Sequence, residues 1–282
     1  DEDFDNIILG KVDLALTKFI IAEGDKYPFK DGDYLTQDGT NKNAGSATNP
    51  YTRQTAVDTT PLKNGGHDAK YTQVKTSLVI PENSYVLYNI RVYNEGEVDV
   101  FAGEVKDYLP NYLDFVEGEF NNSYGWKVAS DGKTVTTNLL SKANGTDKML
   151  KAFDKQGDNG KGSKLDYKDL PILCRINTKT PDKTKLVNSS EITKYEDEDG
   201  NEIDKDIDSE PDNLPEDKKN KEGKPEGRYD QDDEDYEVVE IRKKIVFKKE
   251  NEMFEEDFLI ETFGQEYLEY KKNVFRYLGR RF

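Results

Sequence analysis

Apolar and polar residues alternate along much of the chain from Val12 to Phe247, the period of extended strands with two unlike faces. In Val12-Asp13-Leu14-Ala15-Leu16-Thr17-Lys18-Phe19-Ile20, every second side chain shares a face, which groups Val12, Leu14, Leu16, Lys18 and Ile20. This first strand is expected over about Leu9 to Ile21. Further strands are expected at Lys75 to Ile80, at Tyr85 to Asn94 with Val86, Tyr88, Ile90 and Val92 on one face, and at Phe101 to Leu109. Shorter ones follow at Leu113 to Glu117, Tyr124-Gly125-Trp126 and Thr134 to Leu139, with a hairpin at Ser130-Asp131-Gly132-Lys133, where Asp-Gly is a strong turn signal. Leu170 to Asn177, Lys185 to Tyr195 and Tyr236 to Phe247 complete the set. Many short strands with frequent turns predict an all-β sandwich.

Two polar insertions interrupt the pattern. Residues 24–70 are rich in Gly, Asn, Asp and Thr and carry the single histidine, His67, whose expected place is a solvated loop. From Glu196 to Glu237 there are 20 Asp and Glu against 6 Lys and Arg, too polar to order itself by burial. The hard oxygens of Asp204, Asp206, Asp208 and Asp212 make Ca²⁺ the candidate ion of this segment. The alternative is a solvated acidic loop, since the spacing fails the EF-hand pattern. After residue 248 the period changes. Glu250 to Phe263 and Glu266 to Tyr277 read as short helices broken at Gly264, with Phe254, Phe258, Leu259 and Phe263 on one stripe and Tyr267, Tyr270 and Val274 on the next. The expected organisation is a sandwich over 1–248 and a helical tail over 249–282.

Three polar residues fall in phase with core positions. Lys18 belongs to the apolar face of the first strand. Asp107 aligns with Phe101, Val105 and Leu109, and Asn188 aligns with Leu186 and Ile192. Buried charges are rare unless paired or functional. Desolvation lowers a lysine pKa and raises an aspartate pKa, which would leave a neutral amine beside a proton donor. Lys18 Nζ could then attack Cγ of Asn188 while Asp107 passes the proton to the departing ammonia, forming an intramolecular isopeptide bond. The alternatives are a plain Lys18–Asp107 ion pair beside a satisfied asparagine, or a strand register displaced by one residue, which would turn every side chain over.

Composition narrows the function classes. With 34% hydrophobic and 35% charged residues the 282-residue chain leans toward disorder, but 17 Tyr and 13 Phe supply a sheet core. A net charge of −17 argues against a nucleic-acid partner. Cys174 is the single cysteine, so no internal disulfide forms, and its expected role is that of a small buried hydrophobe. No apolar run approaches the ~20 residues of a membrane-spanning helix, and no signal peptide opens the chain, whose start at Asp1 reads as a processed or excised chain. A single His rules out HExxH, and with His67 read as a solvated loop residue and Cys174 as a buried hydrophobe no Ser-His-Asp or Cys-His arrangement is expected, nor a turnover enzyme. A glycan- or matrix-protein-binding module is the alternative function, with Tyr124 and Trp126 as stacking residues, although a lone Trp more often lies in a sandwich core.

Residues 84–118, "SYVLYNIRVYNEGEVDVFAGEVKDYLPNYLDFVEG", resemble the repeat module of Gram-positive bacterial surface proteins, which typically reads Y-x-I-x-V-x-N-x-G and then V-x-D-x-L-P-x-x-L-x-F-V. The likeness continues through "YGWKVASDGKTVTTNLL", "LVNSSEIT" and "DIDSEPDN…DDEDYEVVEI", covering roughly Val12 to Ile241. It implies an immunoglobulin-like fold and a cell-wall-associated or extracellular adhesive role beside neighbouring modules of a larger protein, with a host or matrix protein or a glycan as partner. Related adhesin and pilin modules carry Lys–Asn isopeptide bonds assisted by an acid, an order that Lys18, Asp107 and Asn188 meet. The sequence as it stands contains no secretion signal and no LPxTG-type motif, so localisation rests on the resemblance. The tail "EEDFLIETFGQEYLEYKKNVFRYL" is similar to the C-terminal end of isoprenylcysteine-type methyltransferases, which use S-adenosylmethionine. Only about 30 residues are alike, the membrane helices of such enzymes are missing, and Glu255 and Glu256 have nothing to act with, so no methyltransferase activity is expected.

Overall fold

The computed structural model describes residues 10–30, 33, 53, 55–153, 164–203, 206–209, 232–243 and 264–270. The chain divides into two compact units, Asp1–Lys243 and Lys244–Phe282. In the first, β1 (Leu14–Gly24) is followed by β2 (Ala56–Asp58), the one-turn helix α1 (Thr60–Lys63) and β3 (Lys70–Thr72). Next come β4 (Leu78–Pro81), β5 (Tyr85–Asn94), β6 (Phe101–Tyr108), β7 (Leu113–Phe115) and the short helix α2 (Glu119–Ser123). β8 (Lys127–Val128) and β9 (Thr134–Thr137) form the hairpin at Asp131-Gly132. β10 (Asp166–Ile176), β11 (Lys185–Glu196), β12 (Glu202–Ile203) and β13 (Glu234–Arg242) complete the unit.

The strands form two large sheets and a small hairpin. One sheet runs β1-β5-β10-β7; the other runs β4-β13-β11-β6-β9-β8, with β12 beside β11. β4 lies parallel to β13, and the other neighbours are antiparallel. The inner faces share one core: Leu14, Leu16 and Ile20 of β1 and Val86, Tyr88, Ile90 and Val92 of β5 meet Val105 of β6, Leu186 and Ile192 of β11, and Val239 and Ile241 of β13. The fold is therefore an all-β sandwich, as the alternation implied, and it is immunoglobulin-like, as the resemblance implied.

The outer face of the first sheet is covered as well. Ala15 and Tyr93 point away from the main core and are capped by Leu62 of α1, Ala69, Phe153 and Leu165. Part of the 24–70 stretch, expected to be loop throughout, thus folds back as β2, α1 and the approach to β3, because the second face of a central strand needs apolar cover. His67 is exposed, as expected.

Other differences have local causes. The first strand begins at Leu14 rather than near Leu9; residues 10–13 are described and are not strand. Tyr124-Gly125-Trp126 is a turn after α2, with Gly125 at φ +69, instead of a strand. The register of β11 against β6 shifts between Ile192 and Tyr195, so Ala102 opposes Tyr195 in the main core. Phe101, expected in phase with Val105 and Asp107, falls outside that core group and is buried near Lys142 instead. The closing strand runs from Glu234 to Arg242; residues 244–247 lie outside the described residues. In the second unit residues 264–270 are helical, with Gly264 at φ +51 opening the helix. Phe254, Glu255, Glu256, Phe258, Leu259, Phe263 and Val274 lie outside the described residues.

A buried ion pair anchors the second sheet to the stretch before α1. Arg53 Nε and Nη2 donate to the two carboxylate oxygens of Glu237 on β13 at 3.1 and 2.5 Å, and Nη2 also donates to Thr76 O at 2.9 Å. Removing one partner of such a pair leaves an uncompensated charge. Arg53→Ala is expected to cost about 3–5 kcal/mol, read as a lower urea midpoint at unchanged slope. Ile90→Val in the main core should cost only about 1 kcal/mol by the same measurement.

Candidate functional site

Lys18, Asp107 and Asn188 are each buried with 0% of their surface exposed, and Lys18 meets Asp107 in the core between the two sheets. Lys18 comes from β1 in one sheet; Asp107 and Asn188 come from β6 and β11, neighbours in the other. Alternation places the three inward, and register aligns two of the strands: Ser190 pairs with Asp107, and Asn188 sits two residues before Ser190 on the same face. Lys18 Nζ donates to Asp107 Oδ2 and, at 2.8 Å, to Ser190 Oγ, which donates to Asp107 Oδ2 at 2.9 Å. The Asn188 Cα lies about 7 Å along the strand from that of Ser190.

The backbone of Lys18 is also fixed. Its N–H donates to Asp235 Oδ2 at 2.6 Å, and its carbonyl accepts from Lys75 Nζ at 3.1 Å, so both main-chain groups are held from outside the sheet. Within the sheet Lys18 pairs with Ile90. The lysine stem crosses an apolar interior, with the Tyr88 ring centroid 5.2 Å from Nζ.

Asn188 differs from the other buried asparagines. Asn121 donates from Nδ2 to Val116 O and Leu173 O and accepts from Leu173 N, each at 2.8 Å. Asn94 is satisfied in the same manner by Val98 O, Leu150 O and Gly96 N. Asn188, equally buried, has neither amide atom hydrogen-bonded among the described residues, and Asp107 Oδ1 is likewise unpartnered. Buried polar groups normally find partners. An intact amide left without any is a group whose present bonding does not account for its place.

Burial works against the charged form of the Lys18 amine. Desolvation pushes the Lys18 pKa below its ordinary value, against the pull of Asp107 in the opposite direction. An amine, a carboxyl group in contact with it and a carboxamide without a hydrogen-bond partner on the adjacent strand are the three groups that an amide bond between side chains would require. Ser190 was not singled out by sequence reasoning, although its place in Leu186-x-Asn188-x-Ser190-x-Ile192 carries the same alternation signal. Cys174 is buried in this core, and burial pushes its thiol pKa well up, which leaves it the expected inert hydrophobe.

The sugar-stacking residues are placed differently from that expectation. Trp126 is 2% exposed and donates from Nε1 to Pro171 O at 2.8 Å, so its ring faces the core. Tyr124 is half-buried, packed 5.3 Å from Phe120 between ring centroids.

Of the four acidic residues read as calcium ligands, Asp204 and Asp212 lie outside the described residues. Asp206 and Asp208 gather with acids that sequence spacing could not connect. Carboxylate oxygens lie within 4.8 Å of one another in three overlapping groups: Asp13, Asp206 and Asp208; Asp13, Glu95 and Asp232; Asp68, Asp208 and Asp232. Burial, reinforced by neighbouring carboxylates, pushes the Asp13 pKa up to about 9 and that of Asp232 well up. Burial is also the main cause that takes Asp206 to about 6, Glu95 to about 7 and Asp208 to about 7.

No protein-family model matches the chain, and no curated protein matches it in sequence. Among solved structures, a non-cellulosomal cohesin from the archaeon Archaeoglobus fulgidus is similar at a TM-score of 0.28 and 13% identity, over 62% of this chain and 91% of that one. BcpA, the major pilin subunit of Bacillus cereus, is similar at 0.27 and 13%, over 82% and 69%. A collagen-binding domain from a Staphylococcus aureus adhesin is similar at 0.20 and 10%, over 56% and 87%. None of these likenesses assigns a function to this chain.

The acidic group sets a pH dependence in metal-free buffer. Its folded-state pKa values lie above the unfolded ones, so the folded chain binds more protons and stability falls as pH rises through the folded values. With chelator present, the melting temperature should be highest at about pH 4–5 and decline as pH rises through about 6 to about 9. A melting temperature that climbs steadily over that window would contradict the assignment.

Proposed function

We propose that the chain is a structural module of a cell-surface or extracellular protein, hardened by an autocatalytic bond between Lys18 and Asn188. The observation that supports this reading is the unpartnered, fully buried Asn188 amide on the face where Lys18 and Asp107 meet. Lys18 passes a proton to Asp107, and the free Nζ attacks Cγ of Asn188. Asp107 takes the second amine proton and delivers one to Nδ2, the Cγ–Nδ2 bond breaks, and ammonia leaves. The product is a secondary amide joining the two sheets. This is one turnover on the chain itself, with no external substrate. Ser190 holds the amine and carboxyl group together through its hydroxyl.

Cell-surface placement is favoured by the sequence resemblance described above and by the need such proteins have for covalent reinforcement, which a single cysteine cannot supply within the chain. By the chain-entropy argument for disulfides, closing the loop from Lys18 to Asn188 stabilises the fold by roughly 5 kcal/mol. The adhesive partner, a host or matrix protein or a glycan, belongs to the same proposal through the resemblance.

Intact mass of the denatured chain should fall short of the sequence mass by one ammonia, and peptide mapping should yield a branched peptide containing Lys18 and Asn188. Loss of one water instead would place the bond on Asp107, and an unshifted mass would leave Lys18–Asp107 as an ion pair. Asp107→Ala should fold but carry the full mass, and Asn188→Ala should lose roughly 5 kcal/mol of stability.

A further inference from the structure

We propose that Asp13, Glu95, Asp206, Asp208 and Asp232, with Asp68 at the solvent side, form a calcium-binding site that fastens the base of the acidic insertion to the end of the sandwich. The residues come from distant parts of the chain. Asp13 immediately precedes β1, Glu95 immediately follows β5, Asp68 precedes β3, Asp206 and Asp208 follow β12, and Asp232 precedes β13. Three groups of their oxygens fall within 4.8 Å, and Asp13, Asp208 and Asp232 each belong to two of them.

The hydrogen bonding of these carboxylates shows that they are oriented but incomplete. Asp206 Oδ2 accepts from Leu14 N at 2.8 Å, while its Oδ1 is enclosed without a partner. Asp232 Oδ1 accepts from Ser209 Oγ at 3.2 Å, while its Oδ2 is enclosed without one. Asp13 is 3% exposed, and its Oδ1 is unpartnered too. Glu95 is anchored by Ala69 N at 2.5 Å and by the Tyr71 hydroxyl. Among the described residues none of the six carboxylates is in an ion pair with Lys or Arg. Three enclosed carboxylate oxygens in one acidic group are without a partner, and among the described residues no Lys or Arg side chain reaches them; a cation would supply what they lack.

The donor set selects the cation. Only carboxylate oxygens are present, with neither imidazole nor thiolate, which suits a hard ion over zinc or copper. Six carboxylates on five segments match the six to eight oxygens and loose geometry of Ca²⁺ better than the strict small octahedron of Mg²⁺. Backbone contacts already bring the segments together: Leu16 N donates to Asp232 O at 2.6 Å and Ile207 N to Val12 O at 3.1 Å. A bound ion would tie these same segments and hold both ends of the 210–231 stretch against the start of β1. The site shares no residue with Lys18, Asp107 and Asn188, so it stands or falls apart from the crosslink.

The test is calorimetric titration of the whole, chelator-treated chain with calcium chloride at neutral pH, beside thermal melts with calcium or with chelator. The expected result is saturable binding and a rise in melting temperature of roughly 5–10 °C at about a hundredfold excess over Kd, with magnesium chloride much weaker. Asp208→Asn, at an exposed position that tolerates the change, should weaken calcium binding at least about tenfold, as loss of a charged ligand does. Glu119→Gln, an exposed acid elsewhere, should not. Absence of saturable binding, or wild-type affinity in both Asp208→Asn and Asp13→Asn, would overturn the proposal.

Discussion

A primary amine with no exposed surface, set between two β-sheets, is the constraint around which the first unit is arranged. An ammonium group in an apolar interior is tolerated only when an anion and further acceptors reach it. Here Asp107 and Ser190 reach it from the facing sheet, while Asp235 and Lys75, bonded to each other, secure its main chain along the free edge of β1. Each partner depends on strand register. A shift of one residue in β1 would send Lys18 to the outer face and bring Thr17 or Phe19 inward. The polar center and the apolar packing therefore specify the same alignment.

The fold was legible in the sequence to the extent that alternation is a local signal. The span of β5 follows from Val86, Tyr88, Ile90 and Val92 alone, and the inward placement of Lys18, Asp107 and Asn188 follows from period two. What escaped depends on contacts between distant segments. Leu62 and Ala69 are isolated apolar residues in a polar stretch, and nothing nearby in sequence shows that Ala15 and Tyr93 lie beneath them. Phe101 was assigned to the wrong face because the register shift between Ile192 and Tyr195 is a property of the pair of strands. Trp126 read as part of a strand because a turn with a left-handed glycine has no periodicity to detect. The acidic group was half legible: the density of aspartates after residue 196 was plain, but Asp13 and Glu95 are ordinary strand-end residues until the fold brings them together.

Acidic excess shapes the molecule in two different ways. On the inside, Glu237 and Asp107 are matched one for one by Arg53 and Lys18, pairs that draw separate segments onto the second sheet. At the end of the sandwich, Asp13, Asp206 and Asp232 meet other acids, so the same residue type that closes the core gathers there without a basic partner among the described residues. A protein with modest apolar content relies on such specific links to reach a unique structure, because its core alone offers fewer constraints.

The sheet edges have a consequence for how the molecule can associate. β7 and β8, at two of the edges, are three and two residues long. β4, at a third, is four residues long and ends in Pro81, which has no amide proton to offer. The outer edge of β1 is occupied in part by Asp232 and Asp235, which accept from the amides of Leu16 and Lys18. Among the described strands little edge backbone is left as a template for a foreign strand, so these sheets resist edge-to-edge pairing between copies.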